Sequence, residues 1–117
     1  MTANLDLDLV LDNLTKELGS GLYFIIITSE NGVVIKSYIN QEFNKTSIGL
    51  NISQLYELAE EVTTEIGVHN PDFNLIHSDN FYVLSIKILN KIIVLLMEDQ
   101  IEFQGIFEII NKCIVTD

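Results

Sequence analysis

Apolar positions recur along the chain in two patterns, a helical stripe and an unbroken run, and each marks a kind of element. Leu7, Val10, Leu11, Leu14 and Leu18 fall on one stripe of a helix. Asp6 and Asp8 sit where a first turn favours negative charge, and Gly19 follows as a stop. Leu22 to Thr28 is apolar throughout, with three consecutive isoleucines, and reads as a strand covered on both faces. Ser29-Glu30-Asn31-Gly32 predicts a type I′ hairpin turn returning into an antiparallel strand over Val33 to Ile39. After a polar loop over Asn40 to Thr46, with Thr46 or Ser47 as cap, a second helix keeps Ile48, Ile52, Leu55, Ala59, Val62 and Ile66 on one face as far as Gly67. Its opposite face carries Glu57, Glu60, Glu61 and Glu65, while Leu58 and Tyr56 flank the apolar stripe.

Beyond His69-Asn70-Pro71, a third strand over Phe73 to Ser78 turns at Asp79-Asn80 into Phe81 to Leu89. That strand turns at Asn90-Lys91 into Ile92 to Met97, whose unbroken apolar run places it centrally in the sheet. Asp99 and Glu102 have the spacing of a capping box, and Phe103, Ile106, Phe107, Ile110 and Ile114 form the stripe of a closing helix. The order is helix, two strands, helix, three strands, helix. Grouped hairpins with interposed helices mean an α+β domain on an antiparallel sheet. At 117 residues, with no repeat or linker, one domain over 1–117 is expected.

Charge narrows the function classes. Six lysines oppose seventeen acids, arginine is absent, and the net charge is −11. Nucleic acid is a poor partner, because binding it depends on cations displacing counterions from phosphates. Anionic membrane surfaces are disfavoured for the same reason, and an arginine finger cannot come from this chain. The first residues show neither a basic region nor a long apolar run, so no signal peptide is expected. The single cysteine, Cys113, fits a reducing compartment, and the expected location is cytoplasmic.

No candidate for chemistry outweighs its structural explanation. Cys113 lies near the apolar stripe of the last helix, with only Lys112 to lower its pKa, and reads as packing. His69 and His77 lack metal-ligand spacing. Gly19-Ser20-Gly21 comes between helix and strand, the reverse of a phosphate loop, so its amides do not converge on an anion. The acids of the second helix have no apolar surroundings to shift a pKa and read as a solvated or partner-facing surface. No catalytic, metal-binding or cofactor-binding residue is expected.

The element order, the hairpin "GLYFIIITSENGVVIKS", the long helix ending at Gly67, the strand pair around Asp79-Asn80, the strand "KIIVLLMED" and the closing helix resemble the Roadblock (dynein light chain) family of the longin-like superfold. Relatives often carry small residues at the start of the second helix, where this chain reads "SIGLNISQL". The resemblance implies a five-stranded antiparallel sheet with the second helix on one face and the first and third on the other. It implies a protein without a catalytic centre that dimerises by pairing third strands edge to edge and packing second helices together, as a homodimer or with a related Roadblock chain. Phe73, Leu75, His77, Leu58 and Val62 are then the expected dimer residues. The expected partner is a small Ras-like GTPase, met by Glu57, Glu60, Glu61 and Glu65. The alternatives are a heterodimer subunit of a motor or membrane-associated scaffold without GTPase contact, and a small-ligand sensor. From the residues alone, the Phe73–Ser78 strand has neither proline nor lysine to guard an edge.

Overall fold

A computed structural model of the chain describes residues 2–116. Its first strand, β1 (Ala3–Leu5), leads into helix α1 (Leu7–Leu18) and a 3₁₀ turn at Gly19–Gly21. The hairpin β2 (Leu22–Ser29) and β3 (Val34–Ile39) precedes the long helix α2 (Lys45–Ile66). Strands β4 (Phe73–Ser78), β5 (Phe81–Ile88) and β6 (Lys91–Glu98) follow, then helix α3 (Gln104–Asn111) and β7 (Ile114–Thr116). The five long strands form one antiparallel sheet in the order β3-β2-β6-β5-β4, so β6 is central and the expected third strand, β4, is an edge.

Two cores sandwich this sheet, as a chain with two-faced central strands requires. Val10, Leu14, Ile106 and Ile110 of α1 and α3 pack on Leu22, Ile25, Ile27, Leu84, Ile93 and Leu95. On the other face Ile52 and Tyr56 of α2 pack on Phe24, Ile26, Ile92 and Val94. One helix on one face and two on the other is the expected layering. Cys113 is fully buried, and burial pushes its thiol pKa up, which keeps it protonated and inert.

Local chemistry departs from expectation in several places. Of the Asn31-Gly32 pair only Gly32 takes a positive φ. Gly32 N–H donates to Ser29 O, and Ser29 N–H donates to Val33 O. The loop is therefore a type I turn closed by a left-handed glycine, one residue longer than the type I′ turn. The type I′ geometry instead appears at Leu89-Asn90, where both residues have positive φ. Asn44, not Thr46 or Ser47, caps α2, accepting from Ser47 N–H at 3.1 Å. Asp99 and Glu102 form no capping box: α3 begins later, after Phe103, and Asp99 bonds His77 instead. Ile114 lies not on α3 but on β7, which pairs with β1 to tie the two ends of the chain together.

Helix α2 is anchored through its first half. Gly49 and Gly32 meet so closely that a Cβ on Gly49 would stand 2.8 Å from Gly32 O and 3.1 Å from Thr28 Cγ2. One turn on, Ser53 Oγ donates to Glu30 O at 2.8 Å. These two small residues within "SIGLNISQL" are what lets the helix approach the hairpin turn. Tyr56 completes the anchor: its hydroxyl lies 2.9 Å from Ser85 O and 3.1 Å from Asp72 O, and its ring is buried. Burial raises its pKa beyond the usual phenol range, so it remains a donor. Tyr56 is thus a core residue and not a flank of the apolar stripe.

The Gly32–Gly49 contact generates a paired test. Gly49→Ala gains ~1 kcal/mol of helix propensity but meets a backbone oxygen that must move, and overpacking of that kind costs ~1–3 kcal/mol. Gly105→Ala, in α3 with open space around it, keeps the gain without the clash. Urea unfolding should show the first variant less stable and the second more stable than wild type.

Candidate interaction surface

The second half of α2 is built differently from the first. Its buried residues are Gly49, Ile52, Ser53 and Tyr56, all in the first half. Beyond them Leu58, Val62 and Ile66 recur at i, i+4 and i+8 with exposures of 60%, 54% and 68%. Val62 and Ile66, which the pattern assigns to the core stripe, therefore face solvent. The helix crosses from the β2–β3 turn, held at Gly49, to Ser85 of β5 and Asp72 before β4, held at Tyr56. Its remaining turns lie on the β4 side of the sheet without a covering layer.

Strand β4 is in register with β5 over its full length, from Phe73↔Ile86 to Ser78↔Phe81. Lys87 N–H donates to Asp72 O at 3.1 Å. By antiparallel alternation Asn74, Ile76 and Ser78 also exchange bonds with β5, while Phe73, Leu75 and His77 turn their N–H and C=O outward. No strand of the sheet lies beyond them. Side chains divide the other way. Phe73, Leu75 and His77 stand on the α1/α3 face opposite Ile86, Leu84 and Tyr82, and Asn74 and Ile76 stand on the α2 face. The expected dimer residues thus lie on both faces, with Leu58 and Val62 on the α2 side. Ile76, 42% exposed on that same side, is missing from the expected set. Alternation along β4 alone would have found it, but only with the face of α2 known.

The other edge is blunted. A register shift at Ile27/Thr28 leaves Ile35 as an extra residue in β3, and Lys36 sits beside it, paired with Asp8 of α1. Bulges and lysines are the usual means of discouraging edge pairing. Strand β4 has neither.

Glu57, Glu60, Glu61 and Glu65 line a shallow groove of about 430 Å³ with Thr64 and Asn70. Three of the acids are exposed. Glu60 turns toward the sheet, 3.6 Å from Lys87 Nζ, which itself lies 5.9 Å from the Tyr56 ring centre. His69 is exposed in the loop after α2. Among the described residues no group of three or more His, Cys, Asp or Glu can hold a metal ion, and no helix is long and apolar enough to cross a membrane. A depression of about 750 Å³ along Ile39–Lys45 is an open loop surface, not a chamber under a helix.

Solved structures share this architecture. Myxococcus xanthus MglB superposes with a TM-score of 0.78 at 16% identity, over 89% of this chain and 85% of that one. A Roadblock/LC7 domain from Streptomyces avermitilis gives 0.79 at 13% identity, over 92% and 91%. The fold is that of the Roadblock domain. A structure described as MglB with tetrameric arrangement gives 0.77 at 7% identity, over 92% and 81%. No protein-family model matches the sequence. No curated protein matches it either. At such identities the Roadblock likeness is one of fold.

The two faces of β4 predict opposite outcomes for one substitution. Leu75→Asp buries a carboxylate against the α1/α3 core and should cost ~2–4 kcal/mol of stability. Ile76→Asp is predicted to leave the unfolding midpoint of the isolated chain within ~0.5 kcal/mol while weakening any association through this edge. Chemical denaturation and sedimentation velocity, run on both variants, separate the two.

Proposed function

We propose that the chain is a non-enzymatic dimeric scaffold that binds and regulates a small Ras-like GTPase in the cytoplasm. The observation that carries this reading is the unguarded β4 edge lying beside the uncovered apolar stripe of α2, while the opposite edge is blocked by a bulge and Lys36. Pairing β4 with β4 of a second copy extends the sheet, and packing the two α2 helices covers Leu58, Val62, Ile66 and Ile76. A stable interface of this kind buries ~1,200–2,000 Å² in total. With −11 on each copy, the apolar centre works against like-charge repulsion, so added salt tightens the dimer. The Roadblock fold supports the reading, since members of that family act as platforms for other proteins.

Glu57, Glu61 and Glu65, exposed on the paired helices, form the contact for the GTPase. A negative patch steers a basic partner, and its effect on the on-rate falls as salt rises. Dimer and partner contact therefore respond to salt in opposite directions. Without an arginine to insert, the scaffold changes nucleotide turnover only by repositioning the GTPase's own residues.

Two measurements test this. The purified protein alone is expected neither to bind nor to hydrolyse GTP; turnover above buffer that a point change in this chain abolishes would overturn the reading. Against a Ras-like GTPase from the same cell, the double variant Glu57→Lys/Glu61→Lys should associate several-fold more slowly, with its sedimentation as a dimer unchanged. An unaltered rate and salt dependence would reduce the acidic face to a solvated surface.

A further inference from the structure

On the α1/α3 face, where Tyr82 of β5 meets the segment leading into α3, lies a pocket of about 330 Å³. Two of its walls are aromatic. The rings of Tyr82 and Phe103 stand 5.8 Å apart between centres and close to perpendicular, at 80°. Ile101, packed on the core beneath, adds apolar lining. The rest of the lining is rich in acceptors, with the carboxylates of Asp99 and Glu102 and the amides of Gln100 and Gln104. No cationic side chain lines the pocket among the described residues. Its frame is fixed by the sheet. Asp99 N–H donates to Asn80 O at 2.9 Å and Ile101 N–H to Glu98 O at 3.2 Å, which pins the segment to the ends of β5 and β6. His77 Nε2, 3.0 Å from Asp99 Oδ2, orients that carboxylate. Glu102 is exposed and makes no hydrogen bond or ion pair among the described residues.

We infer that this pocket binds the guanidinium of an arginine side chain presented by another polypeptide. A ligand suited to these walls is flat enough to lie against a ring, cationic, and dense in N–H donors. Guanidinium meets all three conditions: it stacks on an aromatic face, carries five donors in one plane, and pairs with carboxylates. The ammonium of lysine has three donors on a compact, strongly hydrated head and gains less from a ring. The start of α3 borders the pocket with about half a positive charge, less than the two carboxylates set against it. The chain has no arginine of its own and a net charge of −11, so the occupant comes from another molecule and is drawn in by charge. Beyond Phe103 the rings of Phe107 and Phe73 continue the surface, at 6.5 and 6.2 Å from it, and Phe73 is 41% exposed. They form an apolar track for the residues flanking the arginine, which a free guanidinium compound does not use. The pocket lies on the face opposite α2, so the inference is independent of the dimer and of the acidic helix face proposed above.

The test is a titration of the full chain with a blocked peptide, acetyl-Leu-Arg-Leu-amide, followed through the aromatic ring signals in NMR. The Tyr82 and Phe103 signals should shift and saturate, with a Kd of about 1 mM or tighter. The same peptide with lysine in place of arginine should bind at least ~5-fold more weakly, and so should free arginine, which lacks the flanking residues. Glu102→Gln removes a charge that no neighbour pairs, so it should weaken the arginine peptide about five-fold and leave the denaturation midpoint unchanged. Phe103→Leu, which keeps an apolar side chain and loses the ring, should weaken it to a similar degree. Ring signals that do not respond up to about 20 mM peptide overturn the inference. Equal binding of the lysine peptide overturns it as well, since any cation on an acidic surface would then do. Free arginine binding as tightly as the peptide makes the pocket a small-molecule site and defeats the polypeptide occupant. Full affinity in both Glu102→Gln and Phe103→Leu places the peptide elsewhere on the chain and likewise defeats the assignment.

Discussion

Helix α2 runs on to Ile66, well past Tyr56, the last of its buried residues. At 22 residues it runs ~33 Å, yet its buried side chains all lie between Gly49 and Tyr56. The first half is held by three features of different kinds: a backbone-to-backbone approach at Gly32 and Gly49, a hydroxyl bond from Ser53 to the hairpin turn, and the Tyr56 hydroxyl reaching two carbonyls under β5 and β4. Each of the hydrogen bonds is worth ~1 kcal/mol net, and more to break than to have made. They fix the direction of the helix, and that direction carries its remaining turns to the unguarded side of the sheet. The overhang of Leu58, Val62 and Ile66 beside that edge follows from this geometry.

Charge and apolar surface are interleaved on that overhanging segment. Leu58, Val62 and Ile66 alternate with Glu57, Glu61 and Glu65 within the same turns. Two such helices brought together place their carboxylates around the rim of an apolar seam, where water and salt screen them. Glu60 is the exception. Lys87 draws it toward the sheet and beside Tyr56, so it completes the anchor while its neighbours stay free. Four glutamates that look equivalent along the helix stand in two different settings.

Much of the architecture was legible before the structure. The three consecutive isoleucines and the "KIIVLLME" run identify β2 and β6 as strands buried on both faces, and they are adjacent at the middle of the sheet. The elements that depart from the sequence pattern are those decided by a single contact. Asp99 has capping-box spacing, but His77 is 3.0 Å away and takes it. Ile114 continues the helical stripe of α3, but the chain end pairs with β1 and becomes a strand. The Asn31-Gly32 pair signals a tight turn, and the docking of Gly49 against Gly32 goes with the longer one. The candidate surface was half legible: the edge strand lacks guards in its own sequence, whereas the exposure of Val62 and Ile66 depends on where α2 stops touching the sheet.

The sequence by itself determined the five long strands, the three helices and the α+β class, because these follow from local spacing. Only the tertiary structure decided which apolar residues are core and which are surface. Tyr56 and Val62 lie within two turns of one helix, and one is buried while the other is half exposed. A periodic stripe shows which side of a helix is apolar but not how far along its length another layer is present to cover it. That depends on the crossing of α2 over the sheet, which is set by the glycine contact at one end and a tyrosine hydroxyl near the middle.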